Sequence, residues 1–267
     1  MRYIKAEAIK LLKSPFIWVM SSVYIVLFLM LGYQYTLNTS ANVIEPELKN
    51  PVNLYSFFII MFAAFFNVIF AVILGGQVAG KDFQTGTIQL FVQNAGRYKG
   101  FFAKIALIAI VCVCFIAIVV ILGVILGLSV SNLSASEITK ITDEIFTMDL
   151  LKRFAIGFLS TFLISLFSMT VAILLKNTSK SNLICCLLFL AQNFLPFNIC
   201  KYLFYLNPYY YLSILSDSVF GNLKNLQNIS FGTSNTMTEY VNIGLLVVYA
   251  SVCLVVQVIV YRKREYI

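Results

Sequence analysis

Residues 80–100 read GKDFQTGTIQLFVQNAGRYKG, a polar stretch with a basic excess between two apolar runs, 56–79 and 101–129. Lys81, Arg97 and Lys99 stand there against a single acid, Asp82. Each flanking run is long enough to cross a bilayer, which takes about 20 apolar residues. Packed helices are joined by roughly 2–8 residues, so this connection is longer than a turn requires. The pattern predicts a helical membrane protein in which 80–100 is a cytoplasmic docking loop of a transport subunit.

The composition agrees with a membrane chain. Hydrophobic residues make up 60% and charged ones 11%, where soluble domains carry about 25% charged residues. A nucleic-acid surface needs its basic residues on one solvated face. Here the net charge of +8 sits in short clusters beside apolar runs, which is the signature of topology. Cys112, Cys114, Cys185, Cys186 and Cys253 lie inside apolar runs and Cys200 at the edge of one. They read as small hydrophobes. With no histidine in the chain, the usual zinc spacings cannot be assembled, and no metal site is expected.

In chain order, 1–14 reads as a short basic amphipathic helix lying on the inner membrane surface. Ile4, Ala8, Leu11 and Leu12 share its apolar face, with Glu7 among the polar remainder. Pro15 marks a break. Spans are expected at about 16–35, 56–79, 101–129, 153–175, 182–199 and 240–261. The first is too long for a signal-peptide core of about 7–15 residues, and it ends in Tyr-Gln-Tyr instead of small residues. Residues 38–55 and 130–152 read as external loops, 176–180 as a tight basic inner turn, and 200–239 as an external, semi-apolar segment. With both termini inside, the inner segments hold 13 Lys and Arg against 3 acids, and the outer ones 6 against 8. Basic residues beside spans set orientation. The expected fold is all-α: a single polytopic domain of six transmembrane helices, both termini cytoplasmic, with an interfacial N-terminal helix.

Several motifs bear on function. Gly75 to Asp82, GGQVAGKD, approaches the phosphate-binding pattern G-x-x-x-x-G-K-[ST], but Asp82 stands where a magnesium-binding hydroxyl is required. Nucleotide binding is not expected, and the glycines read as easing a helix out of the membrane. Within the loop, Thr85 or Asp82 is placed to cap a short helix over 87–93, ended by Asn94-Ala95-Gly96. Phe83, Ile88, Leu90 and Phe91 form an apolar patch among basic residues, suited to a partner's groove or to the lipid interface. Gly123-x-x-x-Gly127 offers a face for close helix packing. No Asp, Glu or His falls inside a span, so neither an intramembrane protease nor a proton relay is expected, and no catalytic residue is assigned. Gln257 reads as an interhelical hydrogen-bonding group, and Asn67, Gln192 and Asn193 as either that or substrate-path contacts.

The run Gly80-Lys-Asp-Phe-Gln-Thr-Gly-Thr-Ile-Gln-Leu, with Arg97 and Lys104 after it, resembles the ABC-2 type transporter permeases. So does Glu7-x-x-Lys10-Leu11-Leu12-Lys13-Ser14-Pro15. That resemblance implies a half-transporter that pairs with a second permease, as homo- or heterodimer, and with two copies of an ABC ATPase. ATP and magnesium would then lie on the ATPase, with no cofactor on this chain. It implies export of a lipid, drug or antimicrobial peptide, or bacteriocin immunity, from a bacterial plasma membrane. Asp82, Phe83, Gly86, Thr87, Ile88, Leu90, Phe91, Arg97 and Lys104 would couple to the ATPase, beside the N-terminal helix with Ile4, Glu7, Leu11 and Leu12. A non-transporting scaffold or sensor subunit and a secondary carrier are the other expected classes.

Overall fold

The computed structural model describes residues 2–40, 67–86, 97–130, 148–194 and 239–263. Among these residues the chain is all-helical, in seven helices: α1 Arg2–Leu12, α2 Pro15–Ser40, α3 Asn67–Gln84, α4 Arg97–Val130, α5 Met148–Leu175, α6 Thr178–Phe194 and α7 Glu239–Lys263. Helices satisfy every backbone donor and acceptor internally, which a lipid environment demands of apolar segments. Two stretches are long and apolar enough to cross a membrane, Lys99–Ile118 in α4 and Gly157–Leu175 in α5. Shorter apolar helices run over Thr178–Ala191 and Gly244–Val260. The described residues are therefore all-helical and of membrane character. The first part of the expected second span (56–66), the last of the fifth (195–199), and nearly all of 200–239 lie outside the described residues.

The expected break at Pro15 is present. The Ser14 amide donates to the Leu11 carbonyl at 3.0 Å, tightening the last turn of α1. Proline then opens α2, where its missing N–H costs nothing. The axes of Tyr3–Leu12 and Pro15–Leu27 meet at 62°. The Trp18 indole N–H donates to the Leu12 carbonyl at 2.9 Å, satisfying one acceptor left open at the end of α1.

α5 is the hub, packing against α3, α4, α6 and α7, and its contact with α3 is the most extensive. Glycines make that contact close. A Cβ at Gly75 would overlap the Ser165 carbonyl oxygen, and one at Gly76 the Asn182 amide oxygen. A Cβ at Gly80 would stand 2.6 Å from the Thr178 methyl group. These glycines thus let α3 approach α5 and α6. Gly76-x-x-x-Gly80 has the small-residue spacing that brings membrane helices together. Gly123 and Gly127 lie in α4, beyond the part of that helix whose side chains are described.

Hydroxyls and one amide complete the core. Ser168 Oγ donates to the Val72 carbonyl, and Ser181 Oγ to the Ser168 carbonyl at 3.0 Å. Gln257, fully buried on α7, donates to the Leu166 carbonyl at 3.0 Å and to Thr170 Oγ1 at 2.7 Å. The interhelical role expected for Gln257 is what the structure shows.

Boundaries around the central loop differ from expectation. α3 continues through Gly80–Gln84, and α4 begins at Arg97. Helix can extend through Lys81 and Asp82 because the Asp82 charge is met from two neighbouring helices, as described next.

Candidate functional site

Lys104 lies in the first turns of α4, and its side chain is 1% exposed. A buried ammonium without partners is costly enough that it would give up its proton. Three groups hold this one. Its Nζ donates to the Val78 carbonyl at 3.0 Å, donates to Asp82 Oδ2, and stands 3.3 Å from Glu7 Oε2. The other Asp82 oxygen accepts from Lys10 Nζ. Asp82 is 1% exposed, so one carboxylate bridges lysines of α1 and α4. Four charged side chains, two of each sign, tie α1, α3 and α4 together at one end of the bundle.

Local helix geometry makes the cluster possible. Glu7 and Lys10 are three residues apart on α1, one turn, and so share a face. Val78 and Asp82 are four apart on α3, which lets one ammonium meet a carbonyl and a carboxylate of the same helix. The face α1 turns inward holds Glu7 and Leu11, with Ala8 packed against the core, while Leu12 is 55% exposed. The expected face is thus rotated away from Leu12 because Lys104 draws Glu7 inward; Ile4 is half-buried. Lys10 is half-buried. Desolvation first, then the Lys104 cation, press its ammonium from the ordinary 10.5 down to about 8, against the pull of Glu7.

The end of α3 has its own fastening. The Thr85 hydroxyl and amide both donate to the Lys81 carbonyl, at 2.9 and 3.0 Å. Gly86 follows with φ +68°, the left-handed conformation that ends helices. Thr85 therefore closes α3, and Asp82 is engaged by lysines; the short helix expected over 87–93 lies outside the described residues. Gln84 Oε1 accepts from Thr178 Oγ1 at 2.9 Å, fixing α3 to the start of α6. The basic turn between α5 and α6 carries Lys176 at φ 53° and Asn177, whose Oδ1 accepts from the Lys180 amide at 3.1 Å as an N-cap. Lys10, Lys81, Lys99, Lys104, Lys176 and Lys180 all belong to this end, with Glu7 and Asp82 the acids among them.

The structure brings together Glu7, Asp82 and Lys104 of the expected site. Phe83 is half-buried and packs against the core. Thr87, Ile88, Leu90 and Phe91 lie outside the described residues; Arg97 opens α4, and its side chain is likewise outside them. Asn67 opens α3 while Gln192 and Asn193 fall in the last turn of α6. Those helix ends meet through Val68 and Phe189 in one core cluster. Among the described residues no group of His, Cys, Asp and Glu is placed to hold a metal ion.

The sequence model of the family described as "Protein of unknown function (DUF2705)" matches residues 16–267. The chain belongs to that family. No curated protein and no solved structure matches it. This overturns the resemblance to ABC-2 type permeases, and the geometry shows why the short motifs misled. In this DUF2705 chain, Gly80 makes room for Thr178, Asp82 binds two lysines and Gly86 ends a helix. Each residue type is accounted for by packing and charge within the chain. The matched residues include Asp82 and Lys104, while Glu7 and Lys10 precede them.

Proposed function

We propose that the chain is a subunit of a membrane transporter, six-span with both termini cytoplasmic, in the plasma membrane of a bacterium. It moves an amphipathic substrate with energy from an ATPase carried on a separate chain. The observation that supports this reading is the buried Lys104 held by Asp82 and Glu7. That cluster joins three helices around the turn that leads into residues 87–96. A push on this connection from a docked partner would therefore reach α1, α3 and α4 together. The cationic end favours the cytoplasmic side, since Lys and Arg beside spans are retained there. Among the described residues, the middles of the apolar helices hold no Asp, Glu or His to relay protons, which favours an external energy source.

The test uses Leu90→Asp and Phe91→Asp in the full chain. Phe83 is a poor choice because its packing against the core would confuse docking with folding. ATP hydrolysis that co-purifies with the chain is expected to be lost in both variants while the chain itself remains folded. Unchanged co-purifying hydrolysis would end the docking reading.

A further inference from the structure

Beside the ion cluster is an open cleft bordered by α1, α3 and α4. Lys10 and Ser14 line one side, Gln77 and Lys81 the other, and Val78 and Leu107 supply an apolar wall. Glu7 also borders it, but Lys104 stands 3.3 Å from that carboxylate and offsets its charge. Among the described residues neither the Ser14 hydroxyl nor the Gln77 amide has a hydrogen-bond partner, and Lys81 is exposed and in no ion pair. Lys10, Lys81 and Lys104 face Glu7 and Asp82, three cations to two anions, so the cleft keeps one positive charge in excess. The enclosed part admits little more than water, far below the roughly 300 Å³ of a small-molecule pocket, so a ligand would place only a compact group at the mouth. Two ammonium groups, a hydroxyl and an amide are complementary to a phosphate. Leu107 of the apolar wall belongs to the apolar stretch Lys99–Ile118, about two turns from its start.

We propose that this cleft binds the phosphate of an anionic phospholipid, with Lys81, Lys10, Ser14 and Gln77 around the phosphate and the acyl chains outside the cleft. The site needs no ATPase, so its failure and that of the docking reading are separable.

The full chain in neutral detergent would be titrated with short-chain phosphatidylglycerol, short-chain phosphatidylcholine and inorganic phosphate. Fluorescence of Trp18, the single tryptophan of the chain, reports from the α1–α2 junction. Saturable binding of phosphatidylglycerol is expected at concentrations where phosphatidylcholine gives no change. Lys81→Gln should weaken it about five-fold, the usual effect of one lysine beside a membrane anion. Gln77→Leu should weaken it too, whereas Lys176→Gln, at the same end but outside the cleft, should leave it unchanged. Equal binding of the two lipids, or equal loss in the Lys81 and Lys176 variants, would overturn the site. Saturation by inorganic phosphate at the same concentration would keep a phosphate site and overturn the lipid as its source.

Discussion

α2 and α3 are both apolar helices, yet they sit in opposite surroundings. Among the described residues α2 packs chiefly against α1 and α4 and presents Trp18, Val19, Val23, Val26, Leu29 and Met30 outward. Of its described side chains, the stripe Ile17, Met20 and Leu27 packs on the core. α3 is enclosed by α4, α5 and α6, with Phe70, Ala71, Val72, Leu74 and Ala79 fully buried. The difference is not hydrophobicity. Lipid rewards apolar surface as well as a protein core does, so what places a helix inside a membrane bundle is small residues and polar partners. α3 has both: Gly75, Gly76, Gly80 and Asp82.

Five sets of measurements test that contrast, in order of expected effect. Removing the Lys104 ammonium with Lys104→Ala strands the buried Glu7 carboxylate and leaves Asp82 with Lys10 alone, and losses of about 3–5 kcal/mol accompany such breaks. Unfolding in detergent should show it. Replacing Glu7, Asp82 and Lys104 together by Gln, Asn and Met should recover most of the loss; if it does not, the cluster is more than a set of mutual counter-charges. Next, Gly75→Ala drives a methyl into backbone of α5 and should cost about 3 kcal/mol, the upper end of ordinary overpacking. Gly76→Ala meets only the Asn182 side chain, which can turn aside, and should cost roughly 1 kcal/mol. Equal effects at the two glycines would show that α5 yields as easily as a side chain.

Similar in size to the Gly76 change, Gln257→Leu removes two interhelical hydrogen bonds, worth about 0.6 kcal/mol each in membrane bundles. Val23→Leu on the outer face of α2 should change nothing measurable, and a loss there would mean that α2 has a protein neighbour. Finally, Lys10 should be the lysine most readily acylated near neutral pH. An amine reacts only when unprotonated, and with a pKa of about 8 Lys10 is half neutral at that pH. An ordinary lysine reaches half only near 10.5. Peptide-resolved labelling across this range should place its midpoint near pH 8. A midpoint near the ordinary lysine value would show that α1 is not seated against α4.

Much of the fold was legible. Apolar runs with basic flanks located the described helices, Pro15 separated α1 from α2, and Gln257 stood out as an amide in an apolar run. The core of the site was half legible. Lys104 follows Phe101-Phe102-Ala103 into an apolar run and needs an acid from elsewhere, and few acids lie in the basic segments. Its pairing with both Glu7 and Asp82 depends on how α1 lies against α4, a relation between distant segments that no local pattern encodes. The close packing at Gly75, Gly76 and Gly80 was not legible for a similar reason. Gly76-x-x-x-Gly80 carries the same spacing as Gly123-x-x-x-Gly127, but which helix lies opposite is set by distant segments. The family likeness failed because short runs of Gly, Thr, Asp and Lys recur wherever a membrane helix ends at a charged surface.

The order of the charges along the chain has a consequence for biogenesis. Glu7 and Asp82 both precede Lys104, and chains are made from the N-terminus forward. When α4 emerges and carries its lysine toward the membrane, both carboxylates that will receive it have already been synthesised. The reverse order would present a lone ammonium to the lipid first.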